Sequence, residues 1–258
     1  MKPEINQPEM EPGGVVTRIL MPLPDKGFDP TEASIPWKEC ASRGWRVDIS
    51  TEHGSVAQTD LNKLKGPLPG LLSAGRKAQA AYKDMAEDRA YQNPIPYAEI
   101  NPDLYQAVIL PGGDLPGMRQ YLDSKDLQEK VLQFWREGKL IGAICHGVLV
   151  PARTIDPQSG RSILYGHKVT ALPRWLDRLV YLLDRWFVKR GYIMYSCCVA
   201  EEVRACLERP EDLLKGPNVL AAYVVTDRDL ITSRWYMDAE LFGKRFADEL
   251  EKRMSKAG

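Results

Sequence analysis

The chain has 258 residues, 44% hydrophobic and 27% charged, the balance of a globular protein with enough apolar material for a large core. Thirty-five basic residues against thirty-five acidic ones leave no net charge, which argues against the basic surface of a nucleic-acid-binding protein. Five cysteines are too few for a disulfide framework, no CxxC pair occurs, and His53, His146 and His167 form no metal motif, so neither a metal nor a cofactor is expected.

No apolar run reaches the length of a membrane span, and from Met1-Lys2-Pro3-Glu4 no signal peptide is expected. The expected location is the cytoplasm, with the nucleus as an alternative. Residues 1–14 are polar and proline-rich and read as a loose tail, and residues 15–258 read as one domain. Val15 to Pro22 reads as a buried strand, Thr31 to Arg43 as a helix ended by Gly44, and Trp45 to Ser50 as a second strand. This β-α-β opening is the unit that builds parallel sheets.

Residues 54–100 break that rhythm and read as an insertion over the sheet edge or the site, with one helix between Ala74 and Tyr91. The run Ala107 to Leu110 predicts a third strand, Lys125 to Glu137 a helix with one apolar side, and Leu140 to Ile144 a fourth strand. Further on, Pro157 to Gly160 reads as a turn and Lys168 to Leu172 as another strand. Trp175 to Val188 is a helix with an apolar, aromatic face. It suggests a lid over about 174–190, shaped by Arg174, Trp175, Arg178, Tyr181 and Trp186, or ordinary core at helical spacing. Leu220 to Val225 and Leu230 to Thr232 flank the turn Thr226-Asp227-Arg228-Asp229, and a last amphipathic helix covers Asp238 to Met254. The alternation predicts an α/β fold, a three-layer α/β/α sandwich on a mostly parallel sheet.

The chemistry concentrates at Gly142-Ala143-Ile144-Cys145-His146-Gly147. A strand running into a small-x-Cys-x-Gly turn and then a helix is the sequence form of a nucleophile elbow. Small residues at 143 and 147 let the chain fold back on itself, and the following helix N-terminus is expected to favour thiolate over thiol. The N–H of His146 is placed to stabilise an oxyanion. A second turn, Pro111-Gly112-Gly113-Asp114, ends the neighbouring strand, so the Gly113 N–H is a natural second donor. The plainer alternatives are a packing cysteine at a strand end and a simple strand-ending turn. Cys40 and Cys206 sit in helix-like contexts and Cys197-Cys198 ends an aromatic strand; all four read as structural.

Asp103 to Gly113 together with Ala143-Ile144-Cys145-His146-Gly147 resemble the ThiJ/PfpI superfamily, which has the flavodoxin-like fold of class I glutamine amidotransferases. The insertion before Asn101-Pro102-Asp103, the Asp126-Leu127-Gln128 helix start, Gly160-Arg161 and Asp229-Leu230-Ile231-Thr232 are similar to the branch of heat-shock-type glyoxalase III and chaperone proteins. The resemblance implies that an acid in the first β-α loop contacts the nucleophile, and Glu32 occupies that place; a carboxyl favoured by the helix dipole is the alternative. It also implies a Cys-His-acid triad completed downstream of Gly166-His167-Lys168-Val169-Thr170. There Asp177 stands where the family carries Glu, with a solvated helix position as the other reading and His167 as a weaker substitute.

The catalytic set so implied is Cys145, His146, Glu32 and Asp177, with Gly112, Gly113 and His146 holding the oxyanion. The implied activity is cofactor-independent conversion of an α-oxoaldehyde to a 2-hydroxy acid. Related readings are isonitrile hydration, amide hydrolysis, deglycation or a specialised metabolic lyase, each on a small-molecule substrate. A stress-related chaperone or redox sensor built on an oxidisable Cys145 is the alternative from another class. The resemblance further implies a homodimer.

Overall fold

The computed structural model describes residues 16–66, 73–187 and 198–257. The tail 1–14, the end of the expected lid beyond Phe187, and Cys197 lie outside the described residues, as do the side chains of Tyr181 and Trp186.

Its centre is a seven-stranded sheet. In chain order the strands are β1 (Arg18–Pro22), β2 (Arg46–Thr51), β3 (Ile95–Pro96), β4 (Ala107–Leu110), β5 (Leu140–Ile144), β6 (Val224–Asp227) and β7 (Leu230–Ser233). Across the sheet they run β6-β7-β5-β4-β1-β2-β3. Every neighbouring pair is parallel except the hairpin β6–β7. The inner strands β4 and β5 are buried along their whole length, which is why their sequences are unbroken apolar runs rather than alternating ones.

Helices cover both faces. On one, α1 (Pro30–Ser42) packs against α2 (Arg76–Glu87) and the C-terminal α6 (Ala239–Ala257). On the other, α3 (Lys125–Arg136) packs on the short helix Leu149–Arg153, which in turn meets α5 (Val199–Cys206). The helix Arg174–Phe187, α4, contacts α5. Gly142 lets α6 close on the sheet: a Cβ there would lie 2.6 Å from the Phe246 ring. The three-layer sandwich expected from the alternation is the fold observed.

Several boundaries differ from the sequence reading, each for a local reason. Lys168 to Leu172 forms no strand; Val169 makes one isolated bridge to Leu213, because the ladder position beside β5 is taken by β7. The strand expected from Leu220 begins at Val224, since the Asn218 side chain accepts the N–H groups of Leu220 and Ala221 and turns the chain there. The insertion helix stops at Glu87, and Asp88 caps a new turn over Arg89–Gln92. The two-residue edge strand β3 contains Pro96, a residue suited to an edge. Cys198 starts α5 instead of ending a strand.

A fully buried ion pair closes the end of the sheet. Arg234 Nε and Nη2 donate to the two oxygens of Asp238 at 2.9 and 2.8 Å, and the guanidinium also reaches the Asn218 and Ala221 carbonyls at 2.7 and 2.6 Å. Neither side chain is more than 1% exposed.

Candidate active site

The order of the sheet reverses at β1, which has β2 on one side and β4 on the other. Crevices of this kind, at the carboxyl ends of parallel strands, are where ligands bind in α/β folds. Three chain segments meet there: the loop after β1 that leads to α1, the turn after β4, and Cys145 after β5. The Asp29 N–H bonds the Gly112 carbonyl at 2.8 Å and ties the first two together.

Cys145 has φ of 57°, a left-handed backbone that costs a side-chain-bearing residue about 1–3 kcal/mol and is held only where the surroundings enforce it. The enforcement is visible. Gly147 sits so close to the end of β4 that a Cβ would fall 2.1 Å from the Leu110 carbonyl oxygen. A Cβ on Gly112 would lie 2.6 Å from Glu32 Oε2, 2.8 Å from the His146 nitrogen and 2.9 Å from Cys145 Cβ. Glycine at 112 and 147 is therefore what lets the elbow, the β4 turn and α1 converge.

Glu32 is 2% exposed and faces the thiol. The Gly112 N–H donates to its Oε2 at 3.1 Å, and the carboxyl also hydrogen-bonds the Cys145 side chain. Burial pushes the Glu32 carboxyl well above the ordinary range, and the neighbouring Asp29 and Asp114 push it further. Asp29 caps α1, accepting the Thr31 and Glu32 N–H groups at 2.8 and 3.2 Å; burial raises its carboxyl to about 6. Burial likewise raises the Cys145 thiol, with Glu32, Asp114 and Asp29 adding to it. The helix after the elbow is only a 3-10 turn followed by the five residues Leu149–Arg153. The expected thiolate bias from a helix terminus is thus overridden by burial among carboxyl groups.

His146 lies directly against the nucleophile, its Nδ1 3.5 Å from Cys145 Sγ. Asp114 Oδ1 stands 3.3 Å from the same nitrogen, and Lys63 Nζ is 3.0 Å from Asp114 Oδ2. Burial works to raise the Asp114 carboxyl, but Lys63 and His146 outweigh it and hold it below the usual range. Asp114 ends the Gly112-Gly113 turn, and Lys63 comes from the insertion. Neither was named as a site residue from sequence, although the GGD turn was the available signal for Asp114. A third unforeseen group is Tyr121, whose fully buried hydroxyl has no hydrogen-bond partner among the described residues; burial and the Glu32 charge raise it.

Asp177 lies on α4 within electrostatic range of His146 and hydrogen-bonds the Cys198 side chain. Its carboxyl is raised by burial, and the His146 charge opposes that rise. His167 does not join the site. Its Nδ1 is 3.7 Å from Asp227 Oδ2, at the edge of the sheet opposite the elbow. The Gly113 N–H donates no hydrogen bond among the described residues. The ligating atoms of Asp114, Cys145 and His146 converge within 4.8 Å of one another. With the Lys63 ammonium already seated on Asp114, this convergence is an ion-pair chain, and a metal cation there would meet a like charge. Among the described residues no helix is long and apolar enough to cross a membrane.

The family pattern described as ThiJ/PfpI family-like matches residues 23–217, which include Glu32, Lys63, Asp114, Cys145, His146 and Asp177. The chain belongs to this ThiJ/PfpI-like family. Glyoxalase 3 of Candida albicans is 23% identical over 201 residues, 78% of this chain and 80% of that protein. An uncharacterized protein of Schizosaccharomyces pombe is 25% identical over 119 residues, and this chain spans 45% of its length. The crystal structure of glyoxalase III from Candida albicans superposes with a TM-score of 0.69 at 17% identity, covering 90% of this chain and 96% of that one. That likeness establishes the ThiJ/PfpI-like fold.

Proposed function

We propose that the protein is a cofactor-independent cysteine enzyme that converts a small α-oxoaldehyde into a 2-hydroxy acid. The observation that carries the reading is Cys145, held in a left-handed conformation with its thiol bonded to Glu32 and its neighbour His146 at 3.5 Å. Holding a side chain in such a conformation is a cost that packing alone does not require. Family membership and the similarity to Glyoxalase 3 support the same reading.

The thiol proton passes to His146 as the sulfur adds to the aldehyde carbon, and the carbonyl oxygen becomes a hemithioacetal hydroxyl. The Gly113 and His146 N–H groups stabilise the oxyanion on the way. Glu32, a carboxyl suited to shuttling a proton, moves the C–H proton of that carbon to the adjacent ketone carbon. The first carbon is oxidised to a thioester and the second reduced to an alcohol. Water then releases the 2-hydroxy acid and restores the thiol. Asp177 orients the imidazole from the α4 side, and the homodimer and cytoplasmic setting belong to the same reading. A redox sensor finds less support, because such thiols are exposed and low in pKa, whereas Cys145 is 4% exposed and raised.

The test is turnover of methylglyoxal, an isonitrile and an amide by wild type and Cys145→Ala, with product identified. We expect 2-hydroxy acid from methylglyoxal, and a loss of about a thousandfold or more in the variant at unchanged fold. Isonitrile or amide turnover in place of methylglyoxal would reassign the substrate; full activity of Cys145→Ala would remove the thiol from the chemistry.

A further inference from the structure

We propose that Lys63, supplied by the inserted segment, is a positioning residue for His146: its ammonium fixes Asp114 as a carboxylate, which holds the proton that Nδ1 of the imidazole takes from Cys145. The inference rests on the nucleophile reading above and adds to it a residue outside the elbow and its flanking turns.

The geometry is a single chain of contacts, Cys145 Sγ to His146 Nδ1 at 3.5 Å, Nδ1 to Asp114 Oδ1 at 3.3 Å, and Asp114 Oδ2 to Lys63 Nζ at 3.0 Å. Among the described residues, one Asp114 oxygen faces the imidazole and the other the ammonium. When the thiol proton moves to Nδ1, it arrives between the sulfur and a carboxylate oxygen able to accept it. A protonated Asp114 would instead donate its O–H to Nδ1 and occupy the lone pair that the reaction needs. The charge state of Asp114 therefore decides whether His146 can act as a base.

Besides Lys63, His146 favours that charge, and the acids around Asp114 oppose it. Asp114 is faced by Asp29 and Glu32 at the start of α1, by Cys145 and His146 on the elbow, and by Asp177 on α4. Burial among so many acids favours a neutral carboxyl. Lys63 is the lysine that opposes this at Asp29, Glu32 and Asp114 alike, and Tyr236 faces it from the loop before α6.

The lysine is also held in place. Its helix, Leu61–Lys65, is capped by Asp60, which accepts the Asn62 N–H at 2.8 Å. The Lys63 carbonyl accepts the Ala74 N–H at 2.6 Å, and the Asp60 N–H bonds the Phe28 carbonyl at 3.0 Å, beside the loop that carries Asp29. The Lys63 side chain is 13% exposed. An insertion that merely covered the sheet edge would not need a buried ammonium aimed at the turn after β4.

The experiment follows alkylation of Cys145 by iodoacetamide, read by mass spectrometry on its peptide, in wild type, Lys63→Met, Lys63→Arg, Asp114→Asn and the Lys63→Met/Asp114→Asn double variant. Circular dichroism and the unfolding midpoint of each variant define the folded fraction to which rates are referred. Relative to wild type, Lys63→Met is expected to slow alkylation about tenfold or more at about pH 6 and to come within about twofold at about pH 9, where Asp114 ionises without help. Lys63→Arg restores the rate at both pH values, and Lys63→Met adds no further loss once Asp114 is Asn. A loss equal at both pH values, or fully additive in the double variant, overturns the proposal. A wild-type Cys145 that does not react at all overturns it together with the nucleophile reading. If the alkylation pattern holds while no aldehyde is turned over, the inference stands and the substrate assignment falls.

Discussion

The molecule buries charge in two places near the carboxyl end of its sheet, and the two are built on opposite plans. At Arg234–Asp238 one cation meets one anion through two hydrogen bonds, and carbonyl and N–H groups of the 218–223 loop take up the remaining valences. Around Cys145 the carboxyls of Asp29, Glu32 and Asp114 gather about Lys63 and His146, with a thiol among them. The first arrangement is neutral and saturated and has no proton to give. The second is crowded with acids, of which burial raises Asp29, Glu32 and the Cys145 thiol, so their protons sit close to the point of transfer. Buried charge serves structure when it is matched and chemistry when it is not.

The largest effect is expected from breaking the matched pair. Asp238→Ala leaves the Arg234 guanidinium buried with no counter-charge, a loss of about 3–5 kcal/mol in urea unfolding. A smaller loss would mean that the carbonyl contacts alone hold the arginine.

The unmatched cluster should respond in the opposite direction. Asp29 rises from its ordinary 3.8 to about 6 on folding, so the folded chain retains a proton that the unfolded chain has released. Stability is then fully present below the unfolded value and falls as pH rises through the folded one. Asp29→Asn keeps a capping oxygen and removes the titration. It should gain up to about 3 kcal/mol at about pH 8 and be nearly neutral at about pH 4, as measured by unfolding at the two pH values. An equal effect at both would show that no ionisation penalty is stored there.

The smallest effect is the outside reference for both. Lys38 and Asp84 pair at 2.8 Å between α1 and α2 with about half of each side chain exposed. Lys38→Ala should change stability by less than about 1 kcal/mol, and that little should shrink in salt.

The layers of the fold and the elbow were legible because they are local patterns. The apolar runs Ala107 to Leu110 and Leu140 to Ile144, and the small residues around Cys145, carry their own instructions. Glu32 was legible as well, because the cap and loop that place it adjoin it in sequence. Lys63 and Asp114 were not. The first meets the second only after the insertion folds back against Lys26–Phe28, a long-range pairing that no periodicity records. The strand reading at Lys168 to Leu172 failed on a similar ground, since an apolar run does not reveal that another segment already holds the ladder. Cys145 also shows that one local signal can be outvoted: the turn that exposes a helix terminus also drives the thiol among carboxyls.

The left-handed backbone at Cys145 has a consequence for how such a protein drifts over generations. Glycine and asparagine accept this conformation with less strain than cysteine does. Once selection on the thiol relaxes, replacement at 145 relieves the main chain while the glycines at 112 and 147 stay fixed by close approach. Descendants that have lost the chemistry should therefore keep the glycine frame and change the cysteine first, which makes an intact cysteine at this position a sign of continued use.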